Sequence, residues 1–176
     1  MADSASSVIQ PLLNIPTIAR TRRNHGLEHA TLHILAQRYP HTALAGHSDA
    51  GGFWVLGNVP IDAIQEAVEE ALGRLNAGER RLAVHPNCGT NFATAGVLAG
   101  LAAGVAMLGG RSMRERIERL PLAAFVATLA LIIAQPLGML VQERITTSGE
   151  PAGLRVMEIV VTRRGRWQAH RIVTRS

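Results

Sequence analysis

Apolar and polar residues alternate along this chain at helical and strand periods until two long uncharged stretches interrupt the pattern. From about Thr21 to Arg38 the spacing is helical. At about 100° per residue, Leu27, Ala30 and Ile34 share one face, while His25, Glu28, His29, Leu32 and His33 share the other. Apolar residues on both faces predict a buried helix rather than a surface one. Pro40 lies just beyond its end. Thr42 to His47 and Phe53 to Leu56 read as short strands around the turn-forming stretch Ser48 to Gly52. A second helix is predicted from Pro60 to Asn76, with Ile61, Ile64, Val68, Ala71, Leu72 and Leu75 as its apolar stripe and Gly78 as its C-terminal stop. Leu154 to Thr174 reads as a strand, a turn at Arg163-Arg164-Gly165 and a second strand.

The two uncharged stretches run from Phe92 to Gly110 and from Pro121 to Val141. Each is near the ~20 residues that cross a bilayer core. A short loop joins them, so they predict a transmembrane hairpin. The competing reading, a pair of buried core helices, is disfavoured because globular helices rarely run so far without a charge. The expected fold class is therefore α+β with a two-helix transmembrane hairpin. The extramembrane order is α-β-β-α followed by a C-terminal β-hairpin, with the spans inserted before that last hairpin. Four segments follow: 1–19, flexible or membrane-associated; 20–91, extramembrane; 92–141, the hairpin; and 142–176, the terminal strands.

Charge and composition narrow the setting. The net charge is +5, and every basic residue except histidine is arginine. Arg111, Arg114, Arg116 and Arg119 are expected in the loop between the spans, while Arg74, Arg80, Arg81 and Arg144 flank the hairpin, so the positive-inside rule is close to a tie. The first residues lack the basic start of a signal peptide, and Pro11 and Pro16 interrupt their apolar run. The expectation is an integral protein of a bacterial cytoplasmic membrane, with two spans and both termini in the cytoplasm. Nucleic acid is not an expected partner, because aromatics are few and no basic stripe is interleaved with them. A single cysteine excludes an internal disulfide and suits a reducing compartment. In the first span, Gly96, Gly100 and Gly104 form a small-xxx-small stripe, whose partner is either the second span or a second protomer in a homo-oligomer. Pro136 marks an expected kink in the second span.

The chemistry-bearing residues gather in two windows, His25-Gly26-Leu27-Glu28-His29 and His85-Pro86-Asn87-Cys88-Gly89-Thr90-Asn91. Histidines four apart on a helix stack about 6 Å apart along its axis and can share one Zn²⁺ or another divalent transition metal. Glu28 lies on the same side, placed to act on a metal-bound water without ligating the metal. A catalytic zinc usually has three protein ligands and one open position, and His85 and Cys88 are the donors available for the third. Asn87 is the expected N-cap of the first span, which puts Cys88 in the first turn, where a thiolate is stabilised as ligand or nucleophile. His33 continues the stripe one turn on, as ligand or supporting group. His41, His47 and His170 are expected to be ordinary surface or hydrogen-bonded histidines, and Asp49 and Asp62 are weaker carboxylate candidates.

Together the two windows resemble an uncharacterised group of bacterial integral membrane proteins. A larger family of unknown function carries a similar pair, H-G-x-E-H-K and H-P-x-C-G-T-[ST]-F. The matching residues are His25, Gly26, Glu28 and His29, then His85, Pro86, Cys88, Gly89, Thr90 and Phe92. Ala30 stands where that family has lysine, and Asn91 where it has serine or threonine. The layout over residues 20 to 141 is similar to a smaller two-span family of unknown function. The H-x-x-E-H element over residues 25 to 29 also resembles the inverzincin metallopeptidases, whose downstream acidic ligand has no assignable counterpart here. The expected activity is a membrane-embedded zinc hydrolase, a peptidase with Glu28 as general base. Its substrate would be a membrane-bound peptide or a lipid. A non-catalytic metal-binding membrane protein and a hydrolase or transferase with Cys88 as nucleophile stand as the alternatives.

Overall fold

In the computed structural model, residues 9–164 and 167–176 are described, without the side chains of residues 164 and 167. The chain divides into two units, Met1–His85 with Glu143–Ser176, and Pro86–Gln142.

The first unit places helices on a four-stranded sheet. Helix α1 runs Pro16–Arg38, strands β1 and β2 span Ala45–Asp49 and Gly52–Leu56, and helix α2 runs Ile61–Asn76. Strands β3 (Arg155–Arg164) and β4 (Trp167–Arg175) come from the far end of the chain. All neighbouring pairs are antiparallel and the order is β1-β2-β4-β3, so the C-terminal hairpin completes the N-terminal one. Period-2 alternation sets the core face. Phe53 pairs with Ile172, and both are fully buried with Leu27, Ile34, Leu35, Ile64 and Val68 of the helices.

Several local expectations shift. The α1 helix begins at Pro16, five positions before the expected start, because proline at the first helical position sacrifices no hydrogen bond and already has helical φ. Residues 9–13 are also helical, so the described part of the 1–19 segment is largely structured; residues 1–8 lie outside the described residues. The first hairpin turns later than expected, since Ser48 and Asp49 belong to β1. Arg163 and Arg164 are in β3 rather than in the turn, and Gly165 is outside the described residues. Gly78, at φ +95°, follows the C-cap Ala77 as the helix-ending glycine expected there.

His170 departs most from expectation. It is fully buried, and neither ring nitrogen has a hydrogen-bond partner among the described residues. Strand parity explains its place: it shares a face with Ile172 and pairs with Val55, so the alternation that buries one buries the other.

The second unit is a helical hairpin. Helix α3 spans Gly89–Met107 and helix α4 spans Met113–Val141, continuing into a π-turn at Gln142–Thr146. Both are long and apolar enough to cross a membrane. Their large apolar side chains, among them Phe92, Val97, Leu101, Phe125, Ile132 and Ile133, are exposed, which is the reverse of a soluble core helix. Arg114, Arg116 and Arg119 lie on the first turns of α4, not in the connecting loop. That helix starts early because Ser112 caps the amide of Glu115 and the Glu115 carboxylate accepts from the Arg111 amide, a reciprocal start signal upstream of the uncharged run. A Cβ added at Gly96, Gly100 or Gly104 would meet no atom within 4 Å, so the glycine stripe does not pack on α4. Contact between the two helices runs instead through Gly138 and Asn91. The Asn91 amide donates to the Pro86 carbonyl at 2.8 Å, and its oxygen accepts from Gln142 at 3.4 Å.

Burial holds the His170 pKa below the ordinary histidine value. Its proton is therefore bound more tightly by the unfolded chain, so the neutral ring favours folding above the unfolded pKa of about 6.5, and that advantage is lost as the pH falls below it. The Tm of detergent-solubilised protein should drop more steeply between about pH 7.5 and pH 5.5 for the wild type than for His170→Leu. Parallel curves would show that another group carries the acid sensitivity.

Candidate functional site

The α1 helix presents its chemistry in the middle of its length, where it is most deeply buried. Glu28 and His29 are each only 3% exposed, and His25, one turn earlier, is partly buried. The imidazole rings of His25 and His29 meet edge to face with centroids 4.3 Å apart. The His85 ring lies 6.1 Å from that of His29. Two histidines of the first window and one of the second thus converge within the first unit. They do so because the 3₁₀ turn Arg80–Ala83 packs its Leu82 and Ala83 into the core beside α1 and hands His85 back toward the helix.

The hydrogen bonds of these rings fix which nitrogen faces outward. His29 Nδ1 lies 2.8 Å from the Ala83 carbonyl, and His25 Nδ1 lies 3.0 Å from the Thr146 carbonyl. A carbonyl only accepts, so each Nδ1 carries the proton and donates it. In the neutral ring, Nε2 then holds the lone pair. This is the arrangement by which metal-binding imidazoles are oriented and made more basic.

Glu28 is positioned from the other side, by β1. The Ser48 hydroxyl donates to Glu28 Oε2. Gly46 lies against the same carboxylate, and a Cβ there would collide with Oε1. Neither Ser48 nor Gly46 stood out in the sequence as a site residue. The available signal was a glycine inside a predicted strand, which often marks a close approach. Gly26 of the first window has a packing role. A Cβ at this position would strike the Ser148 carbonyl, and the neighbouring Ser148 amide donates to Arg22 at 2.9 Å.

The remaining candidates separate. His33 bonds Gln37 at 3.0 Å instead of joining the cluster, and His41 and His47 are exposed. Asp49 accepts from Arg171 at 2.8 Å, and this bond holds its carboxyl below the usual range. Arg171 in turn lies 5.3 Å above the Trp54 ring on the outer sheet face. Asp62 occupies the first turn of α2. Cys88 belongs to the second unit. It, not Asn87, is the N-cap of α3, with Sγ accepting from the Thr90 amide at 3.4 Å. The extended backbone of Cys88 fits a cap, and its sulfur replaces the oxygen usually found there.

Comparisons with known proteins agree on the family and leave the chemistry open. The family described as a domain of unknown function, DUF6391, matches residues 20–159. An uncharacterized protein of Picosynechococcus sp. (strain ATCC 27264 / PCC 7002 / PR-6) is 38% identical over 148 residues, covering 78% of this chain and 70% of its own. No solved structure matches. The chain belongs to the DUF6391 family.

The support given to Glu28 is open to direct test. Gly46→Ala should cost about 1–3 kcal/mol through overpacking against the carboxylate. Ser48→Ala should cost about 1–2 kcal/mol by removing a donor from a buried acid. Wild-type stability for both variants in thermal unfolding would place the Glu28 carboxylate away from β1.

Proposed function

We propose that this member of the DUF6391 family is a zinc hydrolase embedded in the membrane, acting as a peptidase on peptides presented at the bilayer surface. The observation that carries the reading is the pair of imidazoles on α1, each donating Nδ1–H to a backbone carbonyl and so turning a lone pair outward, with a third imidazole beside them. Oriented imidazole nitrogens on side chains that are buried or partly buried are what a divalent transition metal requires. His25 and His29 would hold the ion, and His85 or Cys88, three positions apart in the chain, would complete the set.

Bound zinc would lower the pKa of its water toward ~7. Glu28 then has a defined task. One oxygen is held by Ser48, and the carboxylate would take the proton of the attacking water as its oxygen bonds to the scissile carbonyl carbon. The same proton would pass to the departing amine nitrogen as the C–N bond breaks, returning Glu28 to the carboxylate. The two apolar helices support placement in a bacterial cytoplasmic membrane with two spans. Both termini are placed in the cytoplasm as part of the proposal; four arginines between the spans and four flanking them leave the positive-inside rule close to a tie.

A second reading has one observation in its favour. Cys88 caps α3 with its sulfur accepting a backbone amide, a setting that also suits a nucleophilic thiolate.

Two substitutions separate these readings. Glu28→Gln should retain one zinc per chain and the fold while lowering peptide turnover by roughly 10²–10⁴-fold. His29→Ala should lose both metal and turnover. Release of zinc by Glu28→Gln, measured by elemental analysis, would make Glu28 a ligand. Unchanged turnover with zinc retained would leave a structural metal, and loss of turnover on thiol alkylation in metal-free protein would favour Cys88 as nucleophile.

A further inference from the structure

We propose that residues 9 to 18 form an interfacial anchor, lying in the headgroup layer of an anionic bilayer and fixing the start of α1 at the membrane surface. The inference rests on α3 and α4 being spans, and it is independent of the hydrolase reading.

The first observation is a patch. Ile9, Leu12, Ile15 and Ile18 are all exposed, Leu12 by 57%, within ten residues that contain no charge. Single exposed aliphatics are ordinary on a protein surface, but four in one short uncharged segment are not. Leu13 is buried, so the segment is seated on the protein by one side chain while its neighbours face outward. Arg20 follows at once and is exposed. An aliphatic face bordered by arginine suits an interface between acyl chains and anionic headgroups.

The second observation is a set of bonds to the chain that follows α4. Helix α4 ends at Val141, and the chain then leaves it through the π-turn Gln142–Thr146. The start of α1 is stitched to this exit segment. The Arg22 guanidinium donates to the Arg144 carbonyl at 3.0 Å and to the Thr147 carbonyl at 3.1 Å. The Ser148 amide donates to the Arg22 carbonyl at 2.9 Å, and His25 donates to Thr146. Arg144 lies only three positions beyond the end of α4, and its neighbour Ile145 is itself exposed. A helical rise of 1.5 Å per residue puts Pro16 about 9 Å from Arg22. The helix that carries the aliphatic patch is thus bonded, within the first unit, to the chain that follows α4, and lipid is the apolar phase proposed to cover the patch.

The test uses the full chain reconstituted in phosphatidylcholine–phosphatidylglycerol nanodiscs that contain a diazirine-bearing lipid, with crosslinks mapped by mass spectrometry. The expected result is crosslinks on residues 9–18 as well as on both α3 and α4. Leu12→Glu combined with Ile15→Glu should reduce the 9–18 crosslinks to background and leave those on α3 and α4 unchanged. Crosslinks on both helices but none on 9–18 in the wild type would overturn the anchor alone. Absence of crosslinks from α3 and α4 would overturn the two-span premise and the anchor with it.

Discussion

Satisfying the polar groups buried along α1 is the constraint on which the first unit depends. This helix carries Asn24, Glu28, His29 and Thr31 into the interior beside Leu27, Ala30 and Ile34. A polar group buried without a partner costs on the order of 1–3 kcal/mol, so each needs one. Thr31 bonds back to Leu27 within its own helix. The others draw on separate parts of the chain: Asn24 reaches Asp49 and Thr174, Glu28 takes Ser48, His29 takes Ala83, and the partly buried His25 takes Thr146. The first hairpin, the 3₁₀ turn, the exit from α4 and the last strand are each tied to the same helix by a polar contact. The antiparallel pairing of β2 with β4 closes the arrangement.

That constraint also shapes the chemistry. Partners for the two imidazoles are backbone carbonyls, which cannot donate, so both rings are driven into one tautomer. The carboxylate is handled differently, by a hydroxyl and by the space that a glycine leaves. Two rings set in one tautomer and one acid held in place on adjacent turns are the result of packing requirements as much as of any activity. The hydrolase proposal adds an ion to a cluster already oriented by the fold.

The second unit follows a different pattern, one suited to hydrocarbon as solvent. Its helices turn large aliphatic and aromatic side chains outward and carry few buried residues. In hydrocarbon no hydrophobic force drives two such helices together, so polar and small groups do it. Asn91 fills that role between Pro86 and Gln142, and its close approach to Gly138 needs the missing Cβ. The serine or threonine of the similar motif is shorter and lacks the amide that makes both bonds.

Much of this was legible in the chain. Period and charge alone identify both helices and both hairpins of the first unit, together with the two membrane-length runs, because each local pattern had one dominant solution. Spacing placed His25, Glu28 and His29 on one helix. Ends were read less well. Pro16 looked like an interruption and is a helix start, and Ser112 with Glu115 begins α4 before its uncharged run, because caps depend on a few hydrogen bonds rather than on periodicity. Only the tertiary structure decided what lies across from what. His33 leaves the histidine stripe, His85 joins it, Ser48 and Gly46 hold Glu28, and His170 turns into the core. Each of these depends on strand register or on contacts between residues tens of positions apart, and local periodicity carries no information about either.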